Sequence, residues 1–241
     1  MSVALSVAQS IVLHVTEVSE EPAWRRRAVE RSTRAAKLRA EQRVQRFLDA
    51  AQGLIIEKGT TDFTVQEVVE RSQQSLRSFY QHFDGKHELL LALFEDALAT
   101  GALEIRHAAV SEADPLRRLR GAVELLYEQS RPKPHVRRPL FSDFAQQLLV
   151  RHPAQVAAAH LPLLSVFTEL IEQAAEAGAI PADRPRRRAS LVMQTIMFAA
   201  QGNGVSVDGR AVPFTSTEVW DFCFRGIAGA TFASRTPNAA E

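Results

Sequence analysis

Residues 64–83, TVQEVVERSQQSLRSFYQHF, gather side chains that could hydrogen-bond a nucleic acid. Arg77, Ser78, Tyr80 and Gln81 spread over one side of a short helix that can open at Ser75, and Phe79 and Phe83 fall on the other. A face rich in donors and short of acids is what a helix needs to lie in a DNA major groove, where base edges present acceptors. The preceding residues supply its platform. Thr64 is a good N-cap, and Glu67 three residues later completes a capping box. Val65, Val68 and Val69 then repeat at i, i+3, i+4, a narrow apolar face on a first short helix. The polar break Ser72-Gln73-Gln74 separates the two. The spacing predicts two short helices folded around a tight turn.

Charge points the same way. The net charge of the 241-residue chain is only +1, yet residues 24–86 carry thirteen Lys/Arg against eight Asp/Glu, and the rest carries sixteen against twenty. A local basic excess draws a protein to phosphate backbones. Composition is otherwise that of an ordinary globular chain, 46% apolar and 24% charged. Cys223 is the single cysteine, so no intramolecular disulfide can form, which fits a reducing cytoplasm. It sits in the apolar run WDFCFRGIAG and reads as a packed thiol. No apolar stretch approaches the roughly 20 residues that span a bilayer, so no membrane partner is expected. Residues 1–15 lack a basic start and a cleavage site, which argues against a signal peptide.

The elements around the motif read as helices throughout. Residues 1–23 look irregular. From Trp24 the chain turns basic and helix-prone, with Arg25, Arg26, Arg27, Arg31, Arg34, Lys37 and Arg39 opposed only by Glu30 and Glu41. A first core helix follows at about 42–58, where Val44, Phe47, Leu48, Ala51, Leu54 and Ile55 keep a helical period and Gly59 is a stop signal. Asp84-Gly85 caps a long helix to about Ala108. Asp114-Pro115 opens another to about Ser130. The prolines of RPKPHVRRP, 131–139, exclude regular helix there. Further helices are expected at 140–151, at 154–177 with a bend at Pro162, at 186–202 and at 216–233, the last two separated by the loop GNGVSVDGRAVPF. Sustained period-2 alternation is almost absent. The chain reads as all-α.

The stretch SFYQHFDGKHELLLALFEDAL resembles the TetR family of bacterial one-component repressors, and the matching core runs from Arg43 to about Leu98. The family pattern of a small residue, an apolar residue, Tyr, any residue, His-Phe, a turn, Lys and Glu-Leu-Leu is met at Ser78, Phe79, Tyr80, Gln81, His82, Phe83, Asp84-Gly85, Lys86 and Glu88-Leu89-Leu90. The resemblance implies an N-terminal three-helix helix-turn-helix DNA-binding head and a C-terminal helical bundle for effector binding and dimerisation. The boundaries it suggests are a flexible leader and basic arm at 1–40, the head at 41–100 with its motif at 64–83, and the bundle at 101–241. It departs from the family at the turn, which usually reads Ala-Gly-Val. If φ is positive there, Gln73 is strained, and Gln74 replaces an apolar plug. A slightly altered or softer turn is expected.

The resemblance also implies roles. Leu76 and Arg77 start the recognition helix, where Arg77 could pair with guanine O6/N7 and Leu76 could meet a thymine methyl or pack beside Phe79. Gln81 is a weaker base-reading candidate. Ser75 is the N-cap of that helix. Ser78, Tyr80, His82 and Lys86 match phosphate-contacting positions, and Thr64 caps and could also reach a phosphate. The basic segment 25–39 either enters the minor groove or neutralises the backbone, the bland alternative being a solvated helix. The last two helices would pair with a second copy through residues drawn from Leu191, Val192, Thr195, Ile196, Phe198, Ala199, Val219, Trp220, Phe222, Phe224 and Ile227, some of which must be intrachain core instead. That homodimer would present two recognition helices to a palindromic double-stranded operator. A largely apolar effector pocket would draw on Phe141, Phe144, Gln147, Phe167, Gln194, Met197 and Phe198, each on its own read more readily as plain core than as a ligand contact. Lys133, His135, Arg137 and Arg138 read as a solvated loop. His152 and His160, eight apart across a proline, are poorly spaced for a metal.

No catalytic motif, cofactor site or metal site is found: G-x-S-x-G, a phosphate-cradling glycine loop, HExxH and paired cysteines are all missing. The expected function is a cytoplasmic ligand-released homodimeric repressor. The alternative is a helical interaction protein that kept this fold and lost specific DNA reading at its Ser72-Gln73-Gln74 turn.

Overall fold

The structure, a computed structural model, describes residues 22–131, 148, 152–205 and 211–233. Helix α1 spans Ala23–Lys58, α2 Val65–Ser72, α3 Leu76–Tyr80, α4 Lys86–Val110, α5 Pro115–Ser130, α6 Pro153–Ala159, α7 Leu161–Glu176, α8 Pro185–Gln201 and α9 Ser216–Ala233. The expected helix at 140–151 lies outside the described residues except for Leu148, which is helical and buried. The chain divides into two compact units, one through Arg43 and one from Val44 onward.

In the first unit the basic segment is helix, in line with its helix-prone sequence. Its described residues are exposed or half-buried and none is buried, so they build no core. The second unit has one apolar interior. Phe47, Phe79 and Phe83 meet edge to face or tilted, with ring centroids 5.4–6.1 Å apart, and lock α1, α3 and the turn after it together. Further along, α4, α5, α7 and α8 bury Phe94, Leu98, Ile105, Leu119, Leu126, Tyr127, Phe167 and Ile196 against one another. Arg106 of α4 forks onto Glu169 of α7 at 2.8 and 3.0 Å, and Arg118 of α5 donates to Gln173 at 2.7 Å.

The bend anticipated at Pro162 is present: α6 and α7 meet at 47°. His160 closes α6, and its burial pushes the imidazole below its ordinary range although Nδ1 meets the Val156 carbonyl at 2.6 Å. Among the described residues no single helix is long and apolar enough to cross a membrane. The loop before α9 differs from expectation, because Asn203–Val205 and Ala211–Pro213 pair as two short antiparallel strands. Helix α9 opens with a second capping box, in which the Thr215 N–H donates to Glu218 at 2.8 Å and the Glu218 N–H to Thr215 at 3.2 Å. It is interrupted at Gly229, whose φ of 70° only glycine adopts readily.

Candidate nucleic-acid interface

The sequence around α2 fixes where α3 points. Thr64 accepts the Glu67 N–H at 3.2 Å, and the Glu67 carboxylate accepts the Thr64 N–H at 2.8 Å, so the expected capping box is formed. Lys58 Nζ adds an ion pair to Glu67 at 2.6 Å. That ammonium, with the Thr64 N–H, holds the Glu67 carboxyl down at about 2. At the other end of α2, Arg71 bonds Glu57 at 2.5 Å and lies over Gly53, where a Cβ would come within 2.9 Å of the guanidinium. Both ends of α2 are therefore tied to α1.

The turn that follows is tight and fully bonded. Gln73 adopts φ 55°, ψ 35°, the left-handed conformation that costs an L-residue about 1–2 kcal/mol. The Gln74 N–H reaches back to the Val69 carbonyl at 3.3 Å and the Gln73 N–H to Glu70 at 3.2 Å, the pair of bonds of a Schellman C-cap. Gln74 stands where such caps place an apolar residue, and its amide donates to the Gln73 carbonyl at 3.0 Å. The departure in sequence thus leaves the turn geometry of a glycine cap, and the expected softening of the turn does not appear in its bonding. Ser75 then caps α3 by accepting the Ser78 N–H at 3.1 Å.

The five residues of α3 sort cleanly. Phe79 is fully buried. Leu76 and Tyr80 are 43% and 56% exposed, so both present surface to solvent. Arg77 and Gln81 are exposed as well, and the Arg77 guanidinium makes no side-chain hydrogen bond or ion pair among the described residues. Other positions are less free. Ser78 Oγ and His82 Nε2 are sealed from solvent without a partner among the described residues, so neither atom reaches a phosphate as the structure stands. The Thr64 hydroxyl donates to Glu67 at 3.1 Å, which commits its proton to the cap.

Lys86 opens α4 with its ammonium 4.9 Å from the centre of the buried Phe63 ring. Gly85 at the N-cap has φ 152° and makes no side-chain cap hydrogen bond. Phe63, Lys58, Glu57 and Arg71 are the contributors that sequence reasoning missed. Each acts across a gap of nine or more residues or through a ring face, and no local spacing rule marks such partners.

A sequence profile described as bacterial regulatory proteins of the tetR family matches residues 47–93, which enclose this whole arrangement. Residues 47–93 thus match the helix-turn-helix head of TetR-family regulators. Similarity extends beyond the head. The chain is 27% identical over 203 residues to the HTH-type transcriptional regulator AcrR of Shigella flexneri, covering 79% of this chain and 94% of that protein. It is 32% identical over 98 residues to the HTH-type transcriptional activator FasR of Mycolicibacterium smegmatis, covering 39% of this chain and 43% of that one. Among solved structures, that of RolR in complex with resorcinol superposes with a TM-score of 0.59 at 18% identity, covering 83% of this chain and 97% of RolR. A protein of unknown function from Rhodococcus sp. RHA1 gives 0.57 at 19%, covering 78% and 96%. The fold of a TetR-family regulator, all-α with a helix-turn-helix head and a helical C-terminal part, is shared along the chain.

The C-terminal candidates divide. Phe141, Phe144 and Gln147 lie outside the described residues, as do Lys133, His135, Arg137 and Arg138. Phe167 and Met197 are buried in the helical C-terminal part. Gln194 and Phe198 are not interior: Phe198 is 83% exposed, which corrects their assignment to a pocket. The helical period explains it, since Met193, Ile196, Met197 and Ala200 turn the opposite side of α8 inward. Of the dimer candidates, Val192, Ile196, Val219, Trp220 and Ile227 are intrachain core, while Leu191, Phe198 and Phe222 face out. No group of three metal-ligating side chains occurs among the described residues.

Proposed function

We propose that this DNA-binding regulator is a cytoplasmic homodimeric repressor that reads a palindromic operator through α3 and is released by a small, largely apolar ligand. The observation that carries the reading is the outward set Leu76, Arg77 and Tyr80 on a helix whose turn and both flanking caps are fully bonded. Arg77 is the base reader, suited to guanine O6/N7, and Leu76 suits a thymine methyl. Gln81 is a second base-edge donor. Ser75, Tyr80, Lys86 and the α4 N-terminus serve phosphates. Thr64, Ser78 and His82 shape the head, and any phosphate contact from the last two needs a local rearrangement.

Two observations support the remaining parts. Leu191 and Phe198 lie seven residues apart, two turns along one exposed face of α8, and Phe222 is exposed on α9, an apolar surface suited to a twofold interface. Inside the bundle, Phe167, Met193 and Met197 offer apolar lining, and the buried Ser130 hydroxyl has no partner among the described residues, a polar anchor for a ligand.

Selection from a random duplex library tests the reading. It should enrich two inverted half-sites centred about one helical turn, roughly 34 Å, apart. Phe198→Glu should sediment as a monomer and lose operator affinity. Enrichment of no sequence, or of a single unpaired site, would favour the helical interaction protein instead.

A further inference from the structure

We propose that the helical segment 23–43 is a second DNA-binding surface, a rod that binds duplex phosphates without regard to sequence and stays out of the minor groove. This deepens the DNA-binding reading above and rests on it. The segment is helix, continuous with α1, and at 1.5 Å per residue it is about 31 Å long. A helix is roughly 10 Å across with side chains, and the minor groove of B-DNA is about 6 Å wide. An extended arm could enter that groove; this helix cannot.

Among the described residues its charges have almost no acidic partners. Arg25, Arg26, Arg27, Arg31, Arg34, Lys37 and Arg39 are all exposed. Lys37 alone among them pairs with an acid, Glu41 at 3.8 Å, and that pair is itself open to solvent. Arg25 stacks over Trp24 at 5.6 Å, and Arg31 Nε bonds the Arg27 carbonyl at 3.2 Å. Arg27, Arg31 and Arg34 follow one another at i, i+4, i+7, within about 60° of the helical wheel. Like charges at those spacings oppose the helix that carries them. No buried side chain compensates, because no described residue before Phe47 is buried. A polyanion lying along the rod removes the repulsion. Duplex DNA supplies about one negative charge per 1.7 Å of axis and is the polyanion this chain already meets.

The test compares the full chain with Arg27→Gln/Arg31→Gln/Arg34→Gln, glutamine being nearly as good a helix former as arginine. Circular dichroism checks that helix content is kept. Binding to a fluorescein-labelled 30-base-pair duplex of fixed arbitrary sequence is followed by anisotropy from 50 to 200 mM KCl. Each phosphate contact contributes about 0.9 to the slope of log K against log[salt], so the triple variant should lose two to three units of slope. Its preference for a selected operator over a scrambled one should be unchanged, and distamycin bound in the minor groove should leave the arm's contribution intact. An unchanged slope overturns the proposal. So does displacement of the wild-type arm by distamycin, or arm-dependent capture by phosphatidylserine vesicles with equal DNA slopes. Failure of the arm leaves operator preference standing; failure of the head leaves the wild type with no preference to measure.

Discussion

Replacing Gln73 by glycine should stabilise the protein, a result opposite to that of most substitutions. Gln73 sits at φ 55°, ψ 35° between α2 and α3. A Cβ in that conformation costs about 1–2 kcal/mol. Glycine removes the cost but adds freedom to the unfolded chain, which takes back about 0.5–1 kcal/mol. The net gain is about 0.5–1 kcal/mol. No side-chain contact is lost, since the Gln73 side chain is exposed and the bonds of the turn use its backbone N–H and carbonyl. For a chain of this size 1 kcal/mol moves Tm by about 2–4 °C, so a rise of about 1–4 °C is expected. Urea unfolding should show a higher midpoint with an unchanged m-value. Gln73→Ala keeps the Cβ and should be close to neutral, whereas Gln73→Val adds β-branching and should destabilise. A glycine variant no more stable than wild type, or a valine variant equal to it, would refute the claim that backbone strain is stored at this turn.

Two further outcomes follow from the titrating groups. The Glu67 carboxyl is held below its ordinary value by Lys58 and the Thr64 N–H, so its contribution to stability is complete above about 4.5 and is lost as pH falls toward about 2. Urea midpoints should therefore drop more steeply between pH 4.5 and 2 in wild type than in Glu67→Gln, and parallel profiles would contradict this. Burial pushes the Cys223 thiol up to about 11. Iodoacetamide at pH 8 should label it slowly in the native protein and quickly in urea, and equal rates would show that the thiol is open.

The helix-turn-helix was legible because its signals are local. The Thr64–Glu67 box, the three valines, Ser75 and the Phe79/Phe83 pair each declare themselves within four residues, and all are where the sequence puts them. The box at Thr215–Glu218 is equally local and could have been read from TSTE. The division of the last two helices was not legible. Their outer and inner faces are both apolar, so periodicity alone cannot say that Phe198 faces out while Met197 faces in. The ion pairs bracing α2, Lys58–Glu67 and Arg71–Glu57, form only once tertiary packing brings distant residues together.

The central claim is that α3 reads bases through Arg77. Its most direct measurement is the ratio of affinities for the selected operator and a scrambled duplex, in wild type and Arg77→Ala, at several salt concentrations. Loss of a bidentate guanine contact removes about 1–3 kcal/mol of discrimination, roughly 5- to 150-fold, while the salt slope on the scrambled duplex changes by no more than about one unit. That pattern is what the account predicts. An Arg77→Ala protein that keeps the full operator preference would contradict it.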